Sequence, residues 1–173
     1  MYEGAAAFSI QAEKMTRREL REHCFKMLFS ADFYPTQEEA IAQLGQYFQS
    51  PEEDDVDGEG ILQVLHKVEL NEADSEYLRT RTANIIAKIP ETDGKLNQAA
   101  AGWKTKRMGK VELTILRLAL YEMMYDDTIP EKVSINEAVE LAKKFGGSDT
   151  SSFVNGILAK FIGKDAAASK EQA

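Results

Sequence analysis

A chain of 173 residues suits one domain, or two small subdomains sharing a core. Its 43% apolar and 29% charged residues are those of a soluble globular protein, no run approaches the roughly eighteen apolar residues of a membrane span, and the single cysteine, Cys24, rules out an internal disulfide. A net charge of −8 argues against indiscriminate nucleic-acid binding, but the charge is uneven. Residues 38–76 hold twelve acids and one lysine. Within 14–26, Lys14, Arg17, Arg18, Arg21 and Lys26 meet only two glutamates, and KTKRMGK at 104–110 carries four bases and no acid. Two basic patches on an acidic body suit selective RNA binding while most of the surface repels it.

The opening MYEGAAAFSIQAEK has Glu3 where a signal peptide needs a base, and an apolar run of only AAAF, so a cytoplasmic protein is expected. Residues 1–14 read as a leader or disordered arm, 15–163 as one helical domain, and 164–173 as a flexible tail. Thr16-Arg-Arg-Glu19 is a capping-box pattern. Leu20, Cys24, Met27, Leu28 and Ala31 follow at helical spacing, with Cys24 a small core residue, until Pro35 ends the helix. Thr36-Gln-Glu-Glu39 starts a second helix with Ala40, Ile41, Leu44, Tyr47 and Phe48 on one side. SPEEDDVDGEG at 50–60 reads as an acidic loop, and ILQVLHKV after it as a short apolar helix.

Asn71-Glu-Ala-Asp74 caps the next helix, where Tyr77, Leu78, Ile85, Ile86 and Ile89 face the core and which Pro90 stops. KLNQAAAGW is a short helix or turn. VELTILRLALYEMMY is apolar nearly all round, the mark of a central buried helix, and Asp126, Asp127 and Pro130 end it. Ser134-Ile-Asn-Glu137 is another capping-box pattern, followed by Ile135, Ala138, Val139, Ala142 and Phe145 at helical spacing. Gly146-Gly147 suits a stop needing positive φ. The last helix starts near Asp149, as its cap, and carries Phe153, Val154, Ile157, Leu158, Phe161 and Ile162. No stretch alternates convincingly with period two. The expected fold class is all-α, a compact bundle of about seven helices.

Site chemistry is sparse. His23 and His66 fall in no metal-binding spacing and read as helix-surface or boundary imidazoles. Glu53, Asp55, Asp57 and Gly58 imitate the start of a calcium loop, but the twelfth position, which should be a bidentate glutamate, is Val64. Ser148, Thr150, Ser151 and Ser152 have no base in sequence reach, no GxSxG occurs, and the glycine pair lacks the lysine of a P-loop. A capping Asp149 would also occupy the amides that a phosphate needs. No catalytic residue, metal or cofactor is expected.

Three pieces, TRRELREHCFKMLF, WKTKRMGKVELTILRLALYEM and IPEKVSINEAVELAKKFGGSDTSSFVNGIL, resemble in this order the NusB family of bacterial transcription antitermination factors. The resemblance covers roughly residues 15–163, and the LRLALYE, INEAVELAK and FVNG segments are its most specific parts. It implies two small perpendicular helical subdomains, about 15–90 and 91–163. It also implies a non-enzymatic function: pairing with the ribosomal protein NusE, binding single-stranded boxA RNA, and joining the RNA polymerase elongation complex to support ribosomal RNA transcription. NusB relatives occur as monomers and dimers, so a homodimer is left open.

By the same resemblance, Arg17, Arg18, Arg21 and Lys26 on the first helix fall to RNA contact. Arginine forks suit phosphates and stack on unpaired bases, and bases at a helix N-terminus oppose the macrodipole, which favours function over a merely solvated face. Asp149 and Phe153 match positions beside the RNA surface. Phe153 suits base stacking or core packing equally, and Asp149 suits a capping role. Phe29 and Glu112 match contacts to NusE, with core packing the rival role for Phe29. Lys104, Lys106, Arg107 and Lys110 either extend the basic path or are plain surface cations. Glu19 and Glu22 dilute the first helix's positive field, so weak RNA affinity alone and a gain with the partner are expected. Two alternatives remain. One is a NusB-fold protein-interaction scaffold without sequence-specific RNA binding, which the acidic body favours. The other is the NusB-like module of RNA cytosine methyltransferases, disfavoured because no glycine-rich strand-to-helix turn occurs.

Overall fold

The computed structural model describes residues 15–49, 52–56, 62–67, 70–100, 102 and 104–163. The leader at 1–14, the tail at 164–173 and the middle of the acidic segment at 57–61 lie outside the described residues. The order is α1 (Arg17–Ala31), α2 (Gln37–Ala42), a 3-10 helix (Leu44–Gln49), β1 (Glu52–Val56), β2 (Leu62–Lys67), α3 (Glu72–Ala87), α4 (Ile89–Ala99), a 3-10 turn (Thr105–Arg107), α5 (Lys110–Tyr125), α6 (Glu131–Phe145) and α7 (Thr150–Ala159). The fold is the expected all-α bundle, with one hairpin inserted.

Three helix starts follow their sequence signals. The Thr16 hydroxyl accepts from the Glu19 amide while Glu19 reaches back to the Thr16 amide, a complete capping box. Thr36 and Asn71 cap α2 and α3 through the amides of Glu39 and Asp74. Pro90 differs from expectation. It sits in the first turn of α4, where its missing N–H leaves nothing unsatisfied, so it begins a helix instead of only ending one. The second capping-box pattern also gives way: α6 begins at Glu131 after Pro130, so Ser134 lies buried inside the helix and Glu137 is released for other contacts.

The expected helix at ILQVLHKV is instead β2, antiparallel to β1, with Glu52 opposite Lys67, Val56 opposite Leu62 and a bulge after Glu53. A short apolar run does not distinguish strand from buried helix by periodicity, and here hairpin pairing decides.

The core is built around α5, ten of whose residues are buried. α1 packs on α3 and α5, α6 and α7 pack on each other and on α5, and α4 closes against α5. Met27, Leu78, Ile85, Leu116, Leu120 and Leu158 are essentially sealed from solvent, each contributing about 1.5–3 kcal/mol of burial. Cys24 is buried in this core as expected. Tyr77 and Ile41 are not: both are exposed.

Gly146 ends α6, but not through positive φ, since its φ is −101°. A Cβ there would lie 2.6 Å from Thr150, so close approach of the next helix requires the glycine. His23, expected at a boundary, is buried, with Nδ1 2.6 Å from the Tyr47 hydroxyl.

Candidate nucleic-acid interface

The basic residues of α1 split by helical phase. Arg17 is exposed and has no carboxylate partner among the described residues. It lines a cleft of about 450 Å³ shared with Tyr77, Arg81, Asp74 and Asp126. Arg18 is 69% exposed yet gives both arms of its fork to Glu137 on α6, Nε to Oε2 at 3.1 Å and Nη2 to Oε1 at 2.9 Å. That hydrogen bond, working against partial burial, holds the Glu137 carboxyl below its ordinary range.

Arg21 points the other way. Only 9% of its side chain is exposed, its Nε donates to Glu122 Oε1 at 2.8 Å, and its Nη1 lies 3.7 Å from Glu137 Oε2. Glu122 is buried in the last turn of α5, and its second oxygen has no hydrogen-bond partner among the described residues. A strip of three equivalent arginines is therefore not what α1 presents. Arg17 and Arg18 face outward, and Arg21 ties α1 to α5 and α6, because positions 21, 24 and 28 share the buried stripe of the helix.

The next turns of α1 meet the C-terminal end of α6. Glu22 accepts from Lys144 Nζ at 2.7 Å and lies 4.0 Å from Lys26 Nζ. The Phe145 ring stacks on Phe25 with centroids 4.9 Å apart, and the ammonium groups of Lys26 and Lys144 lie 6.0 and 5.5 Å from its centre. This aromatic–cation cluster was not singled out from the sequence. It leads directly, through Gly146-Gly147, into the helix that carries Asp149 and Phe153.

Asp149 does not cap α7. It takes helical backbone angles, φ −93° and ψ −8°, and its carboxylate makes no capping hydrogen bond. The turn is closed instead by Thr150, whose hydroxyl accepts from the Gly147 amide at 3.0 Å. Asp149 is exposed, and Phe153 lies one turn further on, half-buried against the core.

Phe29 lies toward the opposite end of α1, where the start of α5, which carries Glu112, approaches through Lys110. Phe29 is half-buried between Phe25 and Phe33, with the Phe33 ring edge-on at 5.6 Å. Phe33 is 64% exposed, and Lys110 Nζ sits 4.7 Å over it while donating to Asp32 at 2.7 Å. Lys110 opens α5, and Glu112 follows in its first turn with its carboxylate folded over Gly109. Arg117 cements this end, reaching Asp32 and both oxygens of Asp93. Burial alone would raise the Asp32 carboxyl, but hydrogen bonds from Lys110 and Arg117 outweigh it and hold it below its ordinary value. Lys104 donates to the Asn97 carbonyl, while Lys106 and Arg107 are exposed. Phe33 is the residue at this end that sequence reasoning missed: it lies just beyond the α1 stripe, where helical phase no longer indicates burial.

Among the described residues no group of three His, Cys, Asp or Glu side chains is placed to hold a metal, and no helix is long and apolar enough to cross a membrane. The NusB family sequence profile matches residues 18–163. A transcription antitermination protein NusB from Lachnoclostridium phytofermentans is 48% identical over 149 residues, covering 86% of this chain and 99% of that protein. Its counterpart from Agathobacter rectalis is 42% identical, covering 85% and 99%. Among solved structures, NusB from T. maritima superimposes with a TM-score of 0.70 at 25% identity, covering 92% of this chain and 99% of that one. NusB in a complex of the antitermination factors NusB and NusE with double-stranded RNA shares the fold, with a TM-score of 0.62 at 20% identity over 91% and 99% of the two chains.

Proposed function

The chain belongs to the NusB family, and from that premise we propose that it is a transcription antitermination factor that binds boxA-type single-stranded RNA together with NusE. In this reading the complex joins the RNA polymerase elongation complex and supports ribosomal RNA transcription, and the protein acts by binding, not by catalysis. The observation that carries the RNA role is the outward-facing Arg17–Arg18 pair, continued by Lys26, Lys144 and the Phe145 ring toward Phe153. Guanidinium forks grip phosphates, and aromatic faces offer stacking to unpaired bases. The NusE role is assigned to the other end of α1, where Phe29, Phe33, Lys110 and Glu112 combine exposed aromatic surface with both signs of charge. Arg21 is retained as a positioning residue, not a contact. The two-subdomain reading, about 15–90 and 91–163, is carried forward, with its boundary in the first turn of α4 and α1 packed on α5 across it.

The test is a titration of boxA RNA and of a scrambled strand, with and without NusE. With about four phosphates neutralised, single-strand affinity falls roughly fiftyfold between 50 and 200 mM salt. Arg17→Ala with Arg18→Ala weakens binding and leaves the melting temperature near that of wild type. Unchanged affinity in that double variant refutes the site. The scaffold reading is favoured by one specific observation, the engagement of Arg18 and Arg21 by carboxylates. It predicts NusE binding with no preference for boxA over the scrambled strand.

A further inference from the structure

We propose that Glu137 is an internal rival of RNA phosphate at Arg18, and that its hold on this guanidinium sets how tightly and selectively the α1 face takes single-stranded RNA. This deepens the RNA-binding reading above and rests on it. A carboxylate and a phosphate offer a guanidinium the same pair of acceptor oxygens, and a fork can engage one such pair at a time. Glu137 takes that place with two hydrogen bonds, at 3.1 and 2.9 Å.

The two partners are unequally placed. The Arg18 side chain is 69% exposed and Glu137 only 16%, so an incoming phosphate reaches the arginine while the carboxylate stays fixed on α6. Exchange therefore occurs by Arg18 swinging outward. Glu137 is not left bare when that happens, because Arg21 Nη1 remains 3.7 Å from its Oε2. That reserve cation makes the release reversible. Arg17, with no carboxylate against it among the described residues, is the uncontested contact, and Arg18 is the contested one. A strand that makes only backbone contacts gains little by displacing Glu137. A strand whose other contacts are also satisfied gains enough, and this is how a self-supplied competitor sharpens selectivity.

The experiment uses the full chain, boxA RNA and a scrambled strand of equal composition, titrated over a salt series. Glu137→Gln keeps the shape and removes the charge. Affinity is expected to rise about three- to fivefold, the scale that one surface ion pair supports, and the log–log salt slope to steepen by about 0.7, one further phosphate on a single strand. Glu140→Gln is the control. Glu140 also acts on Arg18 through space without bonding to it, and its neutralisation leaves the fork occupied. In an Arg18→Ala background, Glu137→Gln changes nothing. Equal gains from Glu137→Gln and Glu140→Gln, or a gain that survives Arg18→Ala, would overturn the proposal as plain charge removal. A loss of affinity in Glu137→Gln would overturn it as well, showing that the carboxylate instead organises the arginine for RNA. RNA binding by wild type with no change in the variant sinks this inference alone. No binding by wild type or variant sinks the RNA reading with it.

Discussion

Arg21→Ala separates a buried strut from an RNA contact. The substitution removes the donor to Glu122 Oε1 at 2.8 Å and leaves a carboxylate that is 3% exposed, its second oxygen already without a partner among the described residues, inside α5. Removing one member of a buried ion pair costs about 3–5 kcal/mol, because the remaining charge loses its compensation without regaining water. A domain of this size is stable by about 5–15 kcal/mol, so the loss is about a fifth or more of the total. At about 2–4 °C per kcal/mol for chains of this length, the melting temperature falls by about 6–20 °C. Calorimetry and denaturant titration measure it. A cycle with Glu122→Leu completes the test: Arg21→Met combined with Glu122→Leu recovers most of the loss, since an apolar pair of similar volume carries no desolvation penalty. If Arg21→Ala melts within a degree of wild type yet abolishes RNA binding, the strut assignment is wrong and Arg21 is a contact after all.

Gly146→Ala destabilises, since its Cβ would press on Thr150 at 2.6 Å, whereas Gly156→Ala, with open space at a helical position, gains up to about 1 kcal/mol; denaturation midpoints of the two variants have opposite signs. Burial pushes the Cys24 thiol up to about 11, so native protein resists alkylation at pH 8 and reacts only on unfolding; rapid labelling of folded protein contradicts its burial. Glu137, Asp32 and Asp126 titrate below their ordinary 4.5, 3.8 and 3.8 in the folded protein. The unfolded chain therefore binds more protons across that window, and stability is full above about pH 5 and lost as pH falls through the folded values. Denaturant titrations from pH 6 to 3 show the loss, and Asp32→Asn with Asp126→Asn flattens it; a rise in stability on acidification contradicts the ion pairing.

Helix existence was legible because local signals and periodicity agreed. The α1, α2 and α3 starts carry side-chain caps that bond as their spacing implies, and α5 is buried as its apolar circumference requires. What escaped was settled by tertiary partners. Ser134-Ile-Asn-Glu137 has the capping pattern, but Pro130 starts α6 a turn earlier and Glu137 serves Arg18. Asp149 has the right chemistry for a cap, yet Thr150 closes the turn because Gly146 lets it approach. Arg21 was readable in part: it shares the stripe of Cys24 and Leu28, and Glu122 is the one charged residue in LALYEMMY, the second half of α5. Two opposite charges on two buried faces imply each other, but only the packing of α1 on α5 brings residues 21 and 122 together.

Net charge is the wrong quantity for judging whether this molecule meets RNA. Exposed charges further apart than about 8 Å are largely screened at physiological ionic strength, so the potential at Arg17 and Arg18 is set by the acids directly beside them. Beside Arg18 those are Glu137, which bonds it, and Glu140, which acts through space, while Glu22 plays the same part for Lys144 and Lys26. Arg18, Arg21, Lys26 and Lys144 thus each have a carboxylate on the adjoining helix or turn, and an RNA strand must compete with it. Such a face is expected to bind weakly alone. A partner that holds the same strand from the Phe29–Phe33 end raises the local phosphate concentration at Arg17 and Arg18 without any new contact there. Dependence on a partner then follows from the pairing of the arginines themselves, and it weakens when the competing carboxylates are neutralised.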